Sequence, residues 1–177
     1  MIEIRWHGRG GQGAFTAAKI LGAASLIDNK FSLAFPSFGP ERRGAPIQAF
    51  NKIDTKVIID RSEIKSCDYI IFLDDSLFSS DYLKDLKDDG LALINTATPE
   101  KFSDFSQIQS IDANQIALKI IKKPISNTAM LGALASISDD VSLSSLQQAS
   151  DLYLSTALAA KNKLILKESF EHFKEVR

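Results

Sequence analysis

Ile2-Glu3-Ile4-Arg5-Trp6-His7-Gly8-Arg9-Gly10-Gly11-Gln12-Gly13-Ala14 is the stretch whose reading decides the fold. Apolar and polar residues alternate from Ile2 to His7, the period of a strand. Gly8 to Gly13 then breaks the pattern, and small residues follow: Thr16, Ala17, Ala18, Gly22, Ala23, Ala24 and Ser25. They predict a helix over Ala14–Ile27 whose axis lies close to a sheet, with Ile20, Leu21 and Leu26 as its apolar bulk. The order strand, glycine turn, helix is that of a parallel crossover.

Outward from this unit, Phe31–Phe35 reads as a short second strand. Ile47–Ile53 and Lys56–Asp60 read as a hairpin turning at Asp54-Thr55. Tyr69–Leu73 is a continuous apolar run of the kind buried on both faces of a sheet, and Leu91–Ile94 repeats it. A helix over Ser79–Lys87 is expected between them, closed by Asp88-Asp89-Gly90. Ile108–Ile111 predicts a further strand, Ala113–Ile121 a helix broken by Pro124, and Asn127–Ile137 another helix with Met130, Leu131, Leu134 and Ile137 at helical spacing. Leu166, Phe170 and Phe173 alternate with Lys167, Glu171 and Lys174, so an amphipathic helix is expected at the end. The sum is an α/β fold: a Rossmann-like, doubly wound, mostly parallel sheet with helices on both faces and an antiparallel hairpin insert, in one domain over residues 1–177.

Composition narrows the function. Of 177 residues, 45% are hydrophobic and 24% charged, the balance of a globular domain. The 21 basic and 22 acidic residues nearly cancel, so no field gathers nucleic acid or an anionic membrane. No apolar run approaches the ~20 residues that span a bilayer. No signal-like start precedes the first strand, and a cytoplasmic location is expected. One cysteine, Cys67, cannot supply an iron–sulfur cluster or a disulfide, and His7 and His172 show no metal-site spacing.

Gly8-Arg9-Gly10-Gly11-Gln12-Gly13 fits G-x-G-x-x-G in the strand-to-helix setting that a phosphate cradle needs. Glycines remove the β-carbons that hold a phosphate away, and the helix start presents free amides and partial positive charge. Arg9 either adds a charged contact or faces solvent; the glycines alternatively make only a tight turn. A nicotinamide or flavin site would also want an acid about 20 positions on, at the end of the second strand. Ala34-Phe35-Pro36-Ser37 stands there, which leaves a stand-alone flavin or nicotinamide module as the weaker alternative. The lysine of a Walker loop and the G-x-S-x-G serine elbow are both absent.

Pro36 to Pro46 is a long irregular segment in which Phe38, Gly39, Pro40, Glu41, Arg42 and Arg43 form a candidate interface or ligand loop. His7 either touches ligand or is held by its own hydrogen bonds. Cys67 reads as a packed thiol. Asp89-Gly90 with Asn114 lacks the glycine that a magnesium–thiamine diphosphate motif requires at Asp88 and reads as a turn.

Ile4 to Gly13 with Thr16-Ala17-Ala18, Phe35 to Pro46, and Asn127-Thr128-Ala129-Met130-Leu131-Gly132-Ala133-Leu134 together resemble the gamma subunits of 2-oxoacid:ferredoxin oxidoreductases. Glu41-Arg42-Arg43-Gly44-Ala45-Pro46 is more like the pyruvate and branched-chain members. The resemblance implies a cytoplasmic complex that oxidatively decarboxylates a 2-oxoacid, makes acyl-coenzyme A and reduces ferredoxin. It further implies alpha, beta and delta partner subunits that carry thiamine diphosphate, magnesium and 4Fe-4S clusters. The gamma chain would help bind coenzyme A, with Gly8 to Gly13 and Asn127 as the binding residues and no catalytic residue of its own. Ser138 to Lys163 matches no signature.

Overall fold

The computed structural model describes residues 1–37 and 44–176. Its centre is a six-stranded sheet built from β1 (Ile2–Arg9), β2 (Phe31–Pro36), β3 (Pro46–Asp54), β4 (Cys67–Phe72), β5 (Leu86–Asn95) and β6 (Ile108–Ile111). The order across the sheet is β2-β3-β1-β4-β5-β6. β1, β4, β5 and β6 run parallel, while β3 lies antiparallel to both β1 and β2.

Period-two alternation sends successive β1 side chains to opposite faces. Ile4 and Trp6 join Ile71 and Leu93 in a core closed by α1 (Ala14–Ile27), α2 (Ala113–Ile121), α3 (Asn127–Ile137), α4 (Leu143–Tyr153) and α5 (Thr156–Val176). Ala17, Ala18 and Ala24 are fully buried, and it is their lack of bulk that brings α1 down onto the sheet. The opposite face packs Phe50, Ile70, Phe72 and Ile94 under Ile64, Phe78, Tyr82 and Phe102, which belong to loops and 3-10 turns. Both faces are covered, one by α-helices and the other by short turns.

Several elements differ from expectation. The antiparallel insert is β2 with β3, and Lys56–Asp60 is not a strand. β3 already has β1 on one side and β2 on the other, so no edge is left for a third partner. The segment is tied down otherwise: Lys56 donates its N–H to Asp54 Oδ1, and Lys52 Nζ donates to Asp60 Oδ2 at 2.5 Å.

The expected helix at Ser79–Lys87 is a 3-10 turn over Ser80–Asp85, and Asp88-Asp89-Gly90 lies inside β5 rather than ending a helix. A β-carbon on Gly90 would come within 2.9 Å of the Cys67 carbonyl, so glycine serves close strand approach at the bulge of β4. Asp89-Gly90 therefore sits at the amino end of β5, while Asn114 lies beyond its carboxyl end in α2. The stretch without a signature contains α4, capped by the Ser142 hydroxyl, which accepts from Ser145 N–H.

Candidate functional site

The carboxyl ends of β1, β4 and β5 meet at one edge of the molecule, the position where open parallel sheets receive ligands. There β1 runs into the turn Gly10–Gln12, and Gly13 caps α1 with φ 81°. A side chain at 13 would be excluded twice, by that left-handed backbone and by Asn127 Nδ2, which would lie 2.5 Å from the new β-carbon.

The turn is held from several directions. Gly10 N–H donates to Ala45 O, and Gly44 N–H donates back to Gly10 O. Gln12 folds inward: its Oε1 accepts from Arg9 N–H at 2.7 Å, and its Nε2 donates to Asp74 Oδ2. These bonds occupy the amides of Arg9 and Gly10, and Gln12 N–H donates to Arg9 O. Gly11 and Gly13 N–H meet no acceptor among the described residues. The first helical bond, from Ala17 N–H to Gly13 O, leaves the first-turn amides Ala14–Thr16 without a helical acceptor; Phe15 and Thr16 are partly exposed, whereas Ala14 is fully buried. No side chain caps this end and no acid sits in the first turn. The amides left without an acceptor are therefore fewer than the whole glycine motif contains.

Arg9 is partly exposed, and its guanidinium is already bonded within the molecule. Its Nε pairs with Asp74 Oδ2 at 3.0 Å, and its other nitrogens donate to Ser76 Oγ and Gly44 O. Burial pushes the Asp74 carboxyl up, but hydrogen bonds from the Ser76 hydroxyl and N–H, Gln12 and Arg9 outweigh it and hold the group below the usual carboxylate range. Asp74 is thus an ionised clasp on the turn. Asn127, buried at the start of α3, donates to Gly13 O and accepts Thr128 N–H. The structure brings it against the turn, which it buttresses with its amide.

His7 points away from this edge, onto the turn-covered face. It stacks on Phe72 at 4.6 Å and meets the edge of Tyr82. Burial first, and the Arg5 charge second, push it down to about 3 against a smaller opposing effect of Asp85, so it is neutral at ordinary pH. Cys67 is buried in β4, where burial pushes its thiol up to about 11. Phe38, Gly39, Pro40, Glu41, Arg42 and Arg43 lie outside the described residues; the segment that follows, Gly44–Pro46, adjoins the turn.

Sequence order hid two residues. The parallel neighbour of β1 is β4, not β2, and the chain after β4 reads Asp74-Asp75. Asp74 and Asp75 therefore stand beside the end of β1 in space although they follow the fourth strand in sequence. Asp75 accepts the Thr96 hydroxyl at 2.8 Å, and Thr98 N–H and hydroxyl adjoin that same oxygen of Thr96. Lys19, one turn along α1, lies over the rings of Phe15 and Tyr153 at 5.1 and 5.4 Å. No motif marks these residues.

Residues 3–172 match the family model described as pyruvate ferredoxin/flavodoxin oxidoreductase. The chain belongs to that family. It is 50% identical over 147 residues to pyruvate synthase subunit PorC of Methanothermobacter marburgensis, covering 82% of each chain. Against the pyruvate/ketoisovalerate oxidoreductases common subunit gamma of Thermococcus kodakarensis it is 45% identical over 177 residues, 96% of each. The crystal structure of pyruvate oxidoreductase subunit PORC from Thermotoga maritima superposes with a TM-score of 0.83 at 36% identity, covering 96% of this chain and 95% of that one. The gamma-subunit resemblance read from the three sequence stretches agrees with these family members, as does the pyruvate and branched-chain character of the Glu41–Pro46 run.

Proposed function

We propose that this chain, working as one domain over residues 1–177, is the gamma subunit of a cytoplasmic pyruvate-type 2-oxoacid:ferredoxin oxidoreductase. It receives phosphates of coenzyme A at the first turn of α1 and docks to alpha, beta and delta partners through the loop Phe38–Arg43. The complex cleaves carbon dioxide from the 2-oxoacid, transfers the acyl group to the coenzyme A thiol and passes the released electrons to ferredoxin.

The observation that supports phosphate binding is the start of α1. Open amides, no capping side chain and no first-turn acid stand at the carboxyl end of a parallel strand. Asp74 keeps Arg9 and Gln12 folded under the turn, and Asn127 fixes Gly13, so the amides are oriented before ligand arrives. Lys19 adds positive charge one turn farther along. No step of the chemistry needs a side chain of this subunit: its part is to hold and orient the thiol carrier.

Thiamine diphosphate, magnesium and the clusters fit the partners better than this chain. Its one thiol is packed inside β4 with a raised pKa, the opposite of a thiolate ligand, and among the described residues no three His, Cys, Asp or Glu side chains converge. No helix among the described residues is long and apolar enough to cross a membrane.

Thr16→Glu places a carboxylate among the open amides while suiting a helix start, so the fold is expected to hold. In the assembled enzyme it is expected to raise the KM for coenzyme A roughly tenfold, the effect of one repelled charge in a partly buried site. An unchanged KM would remove the cradle. Gly10→Leu, which fills the turn itself, should act in the same direction. Reversing Arg42 and Arg43 to glutamate is expected to weaken co-purification with the partner subunits, and undisturbed co-purification would remove the docking role. A stand-alone flavin or nicotinamide module would instead carry the chromophore's absorbance after purification.

A further inference from the structure

Lys56-Val57-Ile58-Ile59-Asp60 has the composition of a strand, β-branched at 57, 58 and 59, yet it forms none within the chain. Its exposure alternates as in extended backbone: Val57 is 67% and Ile59 88% exposed, while Ile58 between them is half-buried. The segment is held at both ends, where Lys56 N–H donates to Asp54 Oδ1 and Asp60 O accepts from Lys52 Nζ. Between those ends the N–H and C=O groups of Val57, Ile58 and Ile59 meet no partner among the described residues. An open ladder edge with apolar side chains turned outward is a template for another strand.

The charges single out which strand. Lys56 and Asp60 stand symmetrically about Ile58. Laid antiparallel on a second copy about Ile58, the Lys56 of each copy faces the Asp60 of the other, and Val57 faces Ile59. Thr55 then faces Arg61 and Asp54 faces Ser62, so no like charges are opposed. A slip of one residue sets Lys56 against Arg61 in one direction and against Ile59 in the other, so charge also fixes the register. Asp60 is bonded to Lys52, but its side chain stays 59% exposed and can take a second cation. Met1, whose amino group pairs with Asp54, and Phe31, opposite Asp54 in β2, are also exposed and extend the apolar surface.

We propose that Lys56–Asp60 becomes a strand by pairing antiparallel with the same segment of a second copy of this chain, with Ile58 on the twofold axis. Each copy supplies the backbone donors and acceptors that the other lacks, and the outward Val57 and Ile59 cover each other. The segment follows β3 at the amino end of β1, at the other end of the sheet from the glycine turn, and the proposal does not rest on the phosphate reading.

The test is sedimentation equilibrium of the full chain. The unaltered chain is expected to dimerise. Val57→Asp combined with Ile59→Asp should raise the dimer dissociation constant about a hundredfold, because apolar contacts become opposed carboxylates. Lys56→Glu, which opposes carboxylates on the inner side, should raise it about tenfold. These three side chains are exposed, so the fold is expected to hold. Ile58→Cys checks the register by a separate route: oxidation with copper–phenanthroline should join two copies through residue 58, whereas Arg61→Cys, farther from the axis, should not link to itself. The native thiol, Cys67, is buried and stays out of the reaction. The proposal is overturned if the unaltered chain is still monomeric at about 100 μM, if Arg61→Cys links as readily as Ile58→Cys, or if the double aspartate variant dimerises as tightly as the unaltered chain. A double aspartate variant that loses co-purifying subunits while its dimer constant stays unchanged would assign the segment to a different subunit, and overturns the proposal equally.

Discussion

Two faces of one sheet are built on different principles. Toward the α-helices, Ile4, Trp6, Ile71 and Leu93 make an apolar core with alanines of α1 and α3. Toward the short turns, β1 and β3 bury Arg5, His7 and Lys52, the first two against aromatic rings. The lesson is that alternation along β1 separates two kinds of interior rather than inside from outside. Charged residues on the second face stay buried because partners reach in from its cover: Asp85 to Arg5 and Asp60 to Lys52.

Trp6→Ala on the helical face should have the largest effect, a loss of about 3–5 kcal/mol read by urea unfolding, because an indole with no exposed surface leaves a cavity. A loss under about 1 kcal/mol would show that the helical layer collapses freely, and would break the contrast between the faces. His7 supplies the next test. Its pKa is lowered on folding, so the unfolded chain binds the extra proton between the ordinary histidine value and about 3. Stability from the neutral ring is complete above that ordinary value and declines as pH falls through the window. His7→Phe should flatten unfolding free energy against pH in that range, and an unchanged slope would mean that the ring is not buried neutral.

Lys52→Met probes whether the buried ammonium of the turn-covered face contributes net stability. Its partner Asp60 keeps a side chain 59% exposed and can return to water, so the replacement is expected to leave the unfolding midpoint unchanged or raise it. A clear drop in the midpoint would make the pair a net stabiliser. Smallest is Lys84→Ala, which removes a pair with Asp81 whose side chains are 78% and 79% exposed and should shift stability by less than about 0.5 kcal/mol.

What sequence could show followed the range of the forces involved. The strand, glycine turn and α1 were legible because their pattern is local, and α2 and α3 kept their expected limits for the same reason. The hairpin expected after β3 is absent because β3 pairs with β2, which precedes it, and with β1, more than forty residues away, with Ile4 opposite Asn51. α4 was missed because Ser144, Gln147, Gln148 and Asp151 dilute a helix whose buried side amounts to Ser145, Leu146, Ala149 and Ser150. At the candidate site the glycines and Asn127 were named from sequence, whereas Asp74 and Asp75 were not. Their role depends on β4 lying beside β1, which is a property of strand order and not of spacing.

The reciprocal bonds between Gly10 and the Gly44-Ala45 pair have a mechanical consequence. They fasten the glycine turn to the segment that leads out of the arginine-bearing loop, with Arg9 adding a third stitch at Gly44. Were partner subunits to hold residues 38–43 and the coenzyme to sit at α1, as proposed, a pull on Gly44-Ala45 would reach the turn that precedes α1. Assembly and coenzyme occupancy would then be linked equilibria, each changing the other by the same factor.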